Sequence, residues 1–295
     1  MRSKIIIYLM KGLSLLPLAL IQRLGELVGW LFYQIPNRER ETARVNINLC
    51  FPELTAAQKD SLVRQSLIEN AKTLLEMPGI WHGEADSTLK RLMPGDGANL
   101  LELALQQNRG VIVLGPHLGA WELAAHYIAR IAPTTILYRP PREKALEGLI
   151  VSGRSRGGGR LVPTTAAGVK AMYHALHRNE VVVILPDQQP RHAGRSAGVF
   201  APFFKIPALT MVLVNRLVRR SGAVVIFGYV ERLPNAKGYR IHFFPAPDRL
   251  GDADPVVGAG ALNKGVESCV RCCPQQYQWS YRRFSVRPDD ERSPY

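Results

Sequence analysis

His117 and Glu122 stand five positions apart in a pattern that suits proton transfer. Residues 111–127 read Val-Ile-Val-Leu-Gly-Pro-His-Leu-Gly-Ala-Trp-Glu-Leu-Ala-Ala-His-Tyr. The apolar run 111–114 predicts a buried strand, Gly115, Pro116 and Gly119 break it, and a helical pattern begins near Ala120. An imidazole beside a carboxylate at such a strand-to-helix turn suits removal of a proton from a hydroxyl. Within one helix, five positions rotate a side chain by roughly 140°. The pair therefore meets only if His117 precedes the helix and Gly119 lets the chain fold the ring back over the first turn. Glu122 on one ring nitrogen would fix the tautomer and leave the other nitrogen as the base. Spacing alone fits a second reading equally well, a capped turn with a packed histidine. Glu122 and His126 are also a helical i,i+4 pair, either a supporting contact or half of a metal site. The series His117, Glu122, His126 does not have the zincin spacing, and no metal is expected.

Arg139, Arg142, Arg154, Arg156 and Arg160 fall in one short stretch, the last three around Gly157-Gly158-Gly159. Guanidinium groups grip phosphate through paired bonds, and a basic solvated loop is the plainer reading. Asp187 follows the apolar run 181–185, at a strand end where open α/β sheets place ligand sites. His174, His177 and Glu180 close a helix and read as surface residues. Cys269-x2-Cys272 lacks a partner pair and reads as ordinary reduced thiols on a helix. The low cysteine count gives no sign of a disulfide framework.

These residues need a scaffold, and the hydrophobic pattern supplies one. Strands are expected at 111–114, 134–138, 181–185, 223–229 and 239–244, with helices near 121–130, 142–152, 166–177, 209–220 and 256–273. Continuous apolar strands alternating with helices imply an α/β fold with a mostly buried central sheet flanked by helices. Residues 40–93 look helical, with breaks at Pro52 and Pro78-Gly79, and 99–107 reads as the helix leading into the first strand. Met77 to His82 fit either an acyl-chain groove or plain core. The tail after Arg287 is polar and reads as mobile.

In residues 4–35, Leu9, Leu13, Leu16, Leu20, Leu24, Leu27 and Leu31 step by three or four, while Lys11, Gln22, Arg23 and Glu26 interrupt the run. The preferred reading is a membrane anchor over residues 1–35, spanning or interfacial, followed by a single α/β domain over 36–295. A soluble core helix and a cleaved signal also fit. Arg38, Arg40 and Arg44 then form a basic cluster that suits anionic headgroups or a solvated helix face. The 295 residues carry a formal charge of +14, which implies acidic partners. An anionic membrane fits better than nucleic acid, because no aromatic residues interleave with a basic run.

The His-Leu-Gly-Ala-Trp-Glu form of the His-x4-Glu turn resembles the bacterial lipid A late acyltransferases, the lauroyl and myristoyl transferase branch of the glycerolipid acyltransferase superfamily. Other pieces agree in order: Tyr138-Arg139-Pro140, Gly153-Arg154-Ser155-Arg156, Leu185-Pro186-Asp187-Gln188-Gln189, Val199 to Phe204, and Gln276 to Phe284. The likeness covers nearly the whole chain. It implies a cofactor-free O-acyltransferase in which His117, held by Glu122, activates a hydroxyl of a lipid A precursor to attack an acyl carrier protein thioester. It implies the cytoplasmic face of an inner membrane as the place of work. It makes Arg139, Arg154 and Arg156 candidates for phosphate binding, and Asp187 a candidate to orient an arginine or fix the acceptor. The oxyanion would be held by backbone amides or an arginine. Gln188, Gln189 and Lys205 depart from what some relatives carry. Another glycolipid or a lysophospholipid with acyl-CoA, or thioester hydrolysis, are the alternatives. Trp279 and Arg282 are candidates for the headgroup level, or for packing.

Overall fold

The runs Val111–Leu114 and Val181–Ile184 hold no polar side chain, so a sheet containing them must be covered on both faces. In the computed structural model, which describes residues 2–83, 85–141, 144–190, 197–288 and 291–295, they lie side by side at the centre of a seven-stranded sheet. The sheet is built from β1 (Leu92–Pro94), β2 (Val111–Leu114), β3 (Thr134–Tyr138), β4 (Arg160–Pro163), β5 (Val181–Ile184), β8 (Val224–Arg232) and β9 (Tyr239–Pro245). Its spatial order is β1-β9-β8-β2-β5-β3-β4. Strands β8, β2, β5, β3 and β4 run parallel, while β9 returns antiparallel to β8 and β1 pairs with it. A separate antiparallel hairpin joins β6 (Gly198–Phe203) to β7 (Ile206–Met211).

Six helices precede β2: α1 (Arg2–Ser14), α2 (Leu18–Gln34), α3 (Arg38–Cys50), α4 (Ala56–His82), α5 (Ala85–Leu89) and α6 (Leu100–Leu105). Then come α7 (Trp121–Ile131), α8 (Lys144–Ser155), α9 (Ala166–His177), α10 (Leu213–Ser221) and α11 (Pro255–Cys272). Local signals set several ends. Thr55 and Gln58 form a reciprocal capping box at α4. Asp254 caps α11 ahead of Pro255 at its first position. Gly222, at φ 65°, ends α10 in the left-handed region. Two apolar clusters cover the two faces of the sheet, one around Ile112, Leu114, Phe227 and Trp279, the other around Val111, Val113, Leu123 and Ile226.

The alternating scaffold expected from the sequence is present, with four differences. Leu209 to Met211 belong to β7, not to a helix starting at 209. Phe204 and Lys205 take φ 49° and 67°, the two left-handed positions of a tight hairpin turn, so the apolar residues after them pair back on β6. Pro78 does not break α4. It is buried within the helix beside Ile80 and Trp81, and their packing sustains the turn that lacks its N–H. The expected N-terminal stripe is two helices split at Pro17, and among the described residues no helix is long and apolar enough to cross a membrane. The tail is fastened at its end, where the Tyr295 hydroxyl donates to Asn46 and accepts from the Phe284 N–H at 3.0 Å.

Candidate active site

Strands β2 and β5 pair in register, with Leu114 opposite Ile184. Three residues beyond each lie His117 and Asp187, so equal steps off two adjacent parallel strands bring them together. Asp187 Oδ1 lies 2.8 Å from His117 Nδ1, and Asp187 Oδ2 accepts the His117 backbone N–H at 3.1 Å. The Asp187 carboxylate is 3% exposed. Burial pushes its pKa up, but the His117 ring and the bonds from His117 outweigh that and hold it below the usual carboxylate value. An ionised carboxylate only accepts, so Nδ1 carries a proton, and in the neutral ring this leaves the lone pair on Nε2. Trp121 meets the ring edge-on at 5.2 Å.

The turn that presents His117 is bound on all sides. Gly119 adopts φ 62°, and a Cβ there would sit 1.9 Å from Val230 O, so this position takes only glycine. Its N–H donates to Gln276 O at 3.1 Å, the Ala120 N–H to Val230 O at 2.9 Å, and the Gln278 N–H to His117 O at 3.1 Å. From the other side, Thr73 Oγ1 of α4 donates to Gly119 O at 3.1 Å and accepts from Arg232 Nη2 at 2.7 Å. Arg232 is buried and pairs with Glu76 at 2.7 Å and Glu69 at 2.8 Å, and Glu76 in turn accepts from Gln22 of α2 at 2.9 Å.

Glu122 does not hold His117. Its oxygens face α8, where Arg154 Nε donates at 2.9 Å and Nη2 makes a second bond, and Trp81 Nε1 donates at 3.0 Å. The reason is directional. Glu122 lies in the first turn of α7, which carries its side chain toward α4 and α8, while Asp187 already fills the space at Nδ1. Burial raises the Glu122 pKa, but the Arg154 charge and bonds outweigh it and hold the carboxyl below its usual value. Arg154 is therefore neither a loop residue nor a partner of Asp187. It lies in the last turn of α8 and stacks over Trp81 at 5.8 Å, and among the described residues Nη1 has no hydrogen-bond partner.

His117, Glu122, Arg139, Arg154, Tyr138, Leu185, Gln188 and Met211 line a cleft of about 220 Å³ at this end of the sheet. Arg139 also donates to Gln189 O at 3.4 Å. Arg156 turns away, donating to Trp81 O at 3.4 Å and lining a second groove of about 520 Å³ with Gly79, Ile80, His82 and the bend between α1 and α2. The glycines after it are tightly packed, since a Cβ on Gly157 would lie 2.6 Å from His126 Nδ1. His126 is buried beneath them, and burial depresses its pKa. Arg142 lies outside the described residues. Trp279 and Arg283 of the C-terminal run are core groups; Arg283 donates to Leu209 O at 2.7 Å. Among the described residues no group of three metal-ligating side chains assembles.

Sequence reasoning found both members of the imidazole–carboxylate pair but matched them wrongly. Not foreseen were Trp81 as a donor to Glu122, and Thr73, Arg232 and Gln276 as the fasteners of the turn. The buried fasteners come from distant elements, α4, β8 and the segment after α11, and left no signal in the sequence.

An imidazole paired with a buried carboxylate at the ends of parallel strands, in a cleft with two arginines, is an arrangement suited to proton transfer beside negative charge. The match is more specific. Residues 3–285 fit the family model described as bacterial lipid A biosynthesis acyltransferase, and the chain belongs to that family. It is similar to the lipid A biosynthesis lauroyltransferase of Escherichia coli K12, 30% identical over 95% of this chain and 90% of the relative. The palmitoleoyltransferase of the same organism is 29% identical over the same shares, and its myristoyltransferase is 25% identical over 97% and 87%. The chain is an O-acyltransferase.

Proposed function

We propose that the chain transfers a fatty acyl group from acyl carrier protein to a hydroxyl of a lipid A precursor, the secondary acylation of lipopolysaccharide biosynthesis. The observation that carries this reading is the His117 ring, with Nδ1 on Asp187 and Nε2 turned to the cleft. His117 Nε2 takes the hydroxyl proton as the oxygen attacks the thioester carbonyl, and then returns it to the leaving sulfur. Asp187 holds the ring in the basic tautomer and steadies the imidazolium that forms. Glu122 fixes Arg154 at the cleft, where its guanidinium, with Arg139, would bind acceptor phosphate. The +14 charge suits both an acidic carrier protein and a phosphorylated glycolipid.

The work place is the cytoplasmic face of an inner membrane, reached by an interfacial contact. Helices α1 and α2 expose Tyr8, Leu27, Trp30 and Phe32, the turns after them expose Leu15 at 84% and Ile35, and the opposite side of α2 packs on α4. An apolar strip on one side of a folded helix suits insertion among headgroups and acyl ends, and the basic residues Arg38, Arg40 and Arg44 follow it.

The reading is tested by the mass of lipid A from cells with and without the gene. One acyl group should be missing without it and return with the parent chain, while His117→Ala should not restore it. Free fatty acid in place of acylated lipid, from purified protein with both substrates, would favour thioester hydrolysis. Unchanged lipid A would overturn the reading.

A further inference from the structure

The tetrahedral intermediate of acyl transfer carries a negative oxygen, and that oxygen needs a donor. Backbone amides of the His117 turn are all spent. The Gly115 N–H donates to Ile184 O, His117 to Asp187, Leu118 to Pro116 O, Gly119 to Gln276 O and Ala120 to Val230 O. Pro116 has no N–H. No N–H of residues 115–120 is left for that oxygen, which directs the search to side-chain donors at the cleft.

Gln188 meets the requirement. It lines the same cleft as His117, and its Nε2 lies 3.3 Å from His117 Nε2. With the proton on Nδ1, the ring nitrogen can only accept, so the amide donates. The other N–H of the same amide donates to Gln278 Oε1 at 3.2 Å, and the Gln278 backbone N–H donates to His117 O. With the neutral ring protonated at Nδ1, the nitrogen of the amide, not its oxygen, faces Nε2. The amide is thus tied to the catalytic turn and rests on the very nitrogen that must receive the substrate proton.

We infer that Gln188 is a catalytic residue, the amide donor to the oxyanion formed when an acceptor hydroxyl attacks the acyl thioester. This rests on the acyl-transfer reading above. The acceptor hydroxyl takes the place of the amide on His117 Nε2. Its proton passes to Nε2, its oxygen forms the new C–O bond, and the carbonyl pair moves onto the carbonyl oxygen. The freed Gln188 N–H bonds that oxygen. Re-formation of the carbonyl breaks the C–S bond, and Nε2 returns the proton to the sulfur. Gln278 holds the amide in place throughout, so the donor is preorganised.

The test uses the full-length protein with a lipid A precursor as acceptor and fatty acyl carrier protein as donor, made both as the thioester and as the dithioester. A C=S sulfur is a poor hydrogen-bond acceptor, so the dithioester removes the bond from the substrate side. Gln188→Leu should lower kcat by about 10²–10³-fold with KM within about threefold, the range seen when one oxyanion donor is lost. The parent should be slow on the dithioester, and Gln188→Leu should show little added loss with it. Gln188→Glu keeps the size of the side chain and serves if the leucine variant does not fold; it should be at least as slow. A kcat within threefold of the parent in either folded variant, or an equal dithioester penalty in parent and variant, would overturn the assignment. Loss in His117→Ala with a normal Gln188 variant would sink this inference alone. A parent that transfers no acyl group would sink the reading beneath it.

Discussion

At His117 Asp187 holds one ring nitrogen, and in the proposed reaction the other takes the hydroxyl proton. Glu122 serves a different cation. It faces Arg154 from a buried position, and the guanidinium is only one-quarter exposed, so removing either charge strands the other. Glu122→Gln should lower stability by about 2–3 kcal/mol, toward the low end for a broken buried pair because Arg154 retains some solvent. Arg154→Lys keeps the charge but loses the planar fork, and should cost less. In chemical unfolding, the double variant should be less destabilised than the sum of the two singles by at least about 1 kcal/mol; additive values would mean that the pair is not coupled. The pH dependence has a defined sign. The Glu122 pKa is depressed by folding, so the stabilisation is complete above its unfolded value of 4.5 and drains as pH falls through the lower folded value. Thermal midpoints of the parent from pH 6 to pH 3 should therefore fall more steeply than those of Glu122→Gln, and parallel curves would contradict the assignment.

At the scale of elements, the decisive feature is the turn from β2 into α7, where backbone conformation leaves no room for a side chain at Gly119. Gly119→Ala should unfold the turn or displace β8, costing more than about 2 kcal/mol and most of the activity. Near-normal stability and rate in that variant would mean that the turn tolerates another path. Such turns and the central strands were legible in the sequence, because apolar runs bounded by Gly and Pro carry their own signal. The segments 111–114, 134–138 and 166–177 stand where periodicity puts them. Short edge strands such as β1 and β4 have too few residues to show a period, and the β6–β7 hairpin hid behind non-glycine residues at positive φ. The site was half legible. His117 and Asp187 were visible as residues at strand ends, but their pairing depends on β5 lying beside β2, a long-range fact that spacing along the chain does not contain. The His-x4-Glu spacing drew attention to the nearer carboxylate, whose side chain leaves in another direction.

At the scale of the whole molecule, the N-terminal helices join the proposed membrane contact to the rest of the fold. A Cβ on Gly29 would sit 2.3 Å from Ile68 Cα, so α2 packs backbone to backbone on α4. Deleting residues 1–35 would strip that interface and expose the core to aggregation. Substitution of Leu15, Trp30 and Phe32 by serine is the cleaner probe, because all three are exposed. The triple variant should release from anionic vesicles with an unfolding midpoint within a few degrees of the parent, leaving weak, salt-sensitive binding through the basic segment. Retention at high salt would place the membrane contact elsewhere. The central claim joins this surface to the site: a membrane-docked chain uses His117, held by Asp187, to move an acyl group onto a glycolipid hydroxyl. The most direct measurement is the rate at which purified parent and Asp187→Asn transfer a fatty acyl group from acyl carrier protein to a lipid A precursor. The account predicts measurable transfer by the parent and a loss on the order of 10²–10⁴-fold in Asp187→Asn, the size expected when a base loses its tautomer partner, with the fold retained. An Asp187→Asn rate within threefold of the parent would contradict it.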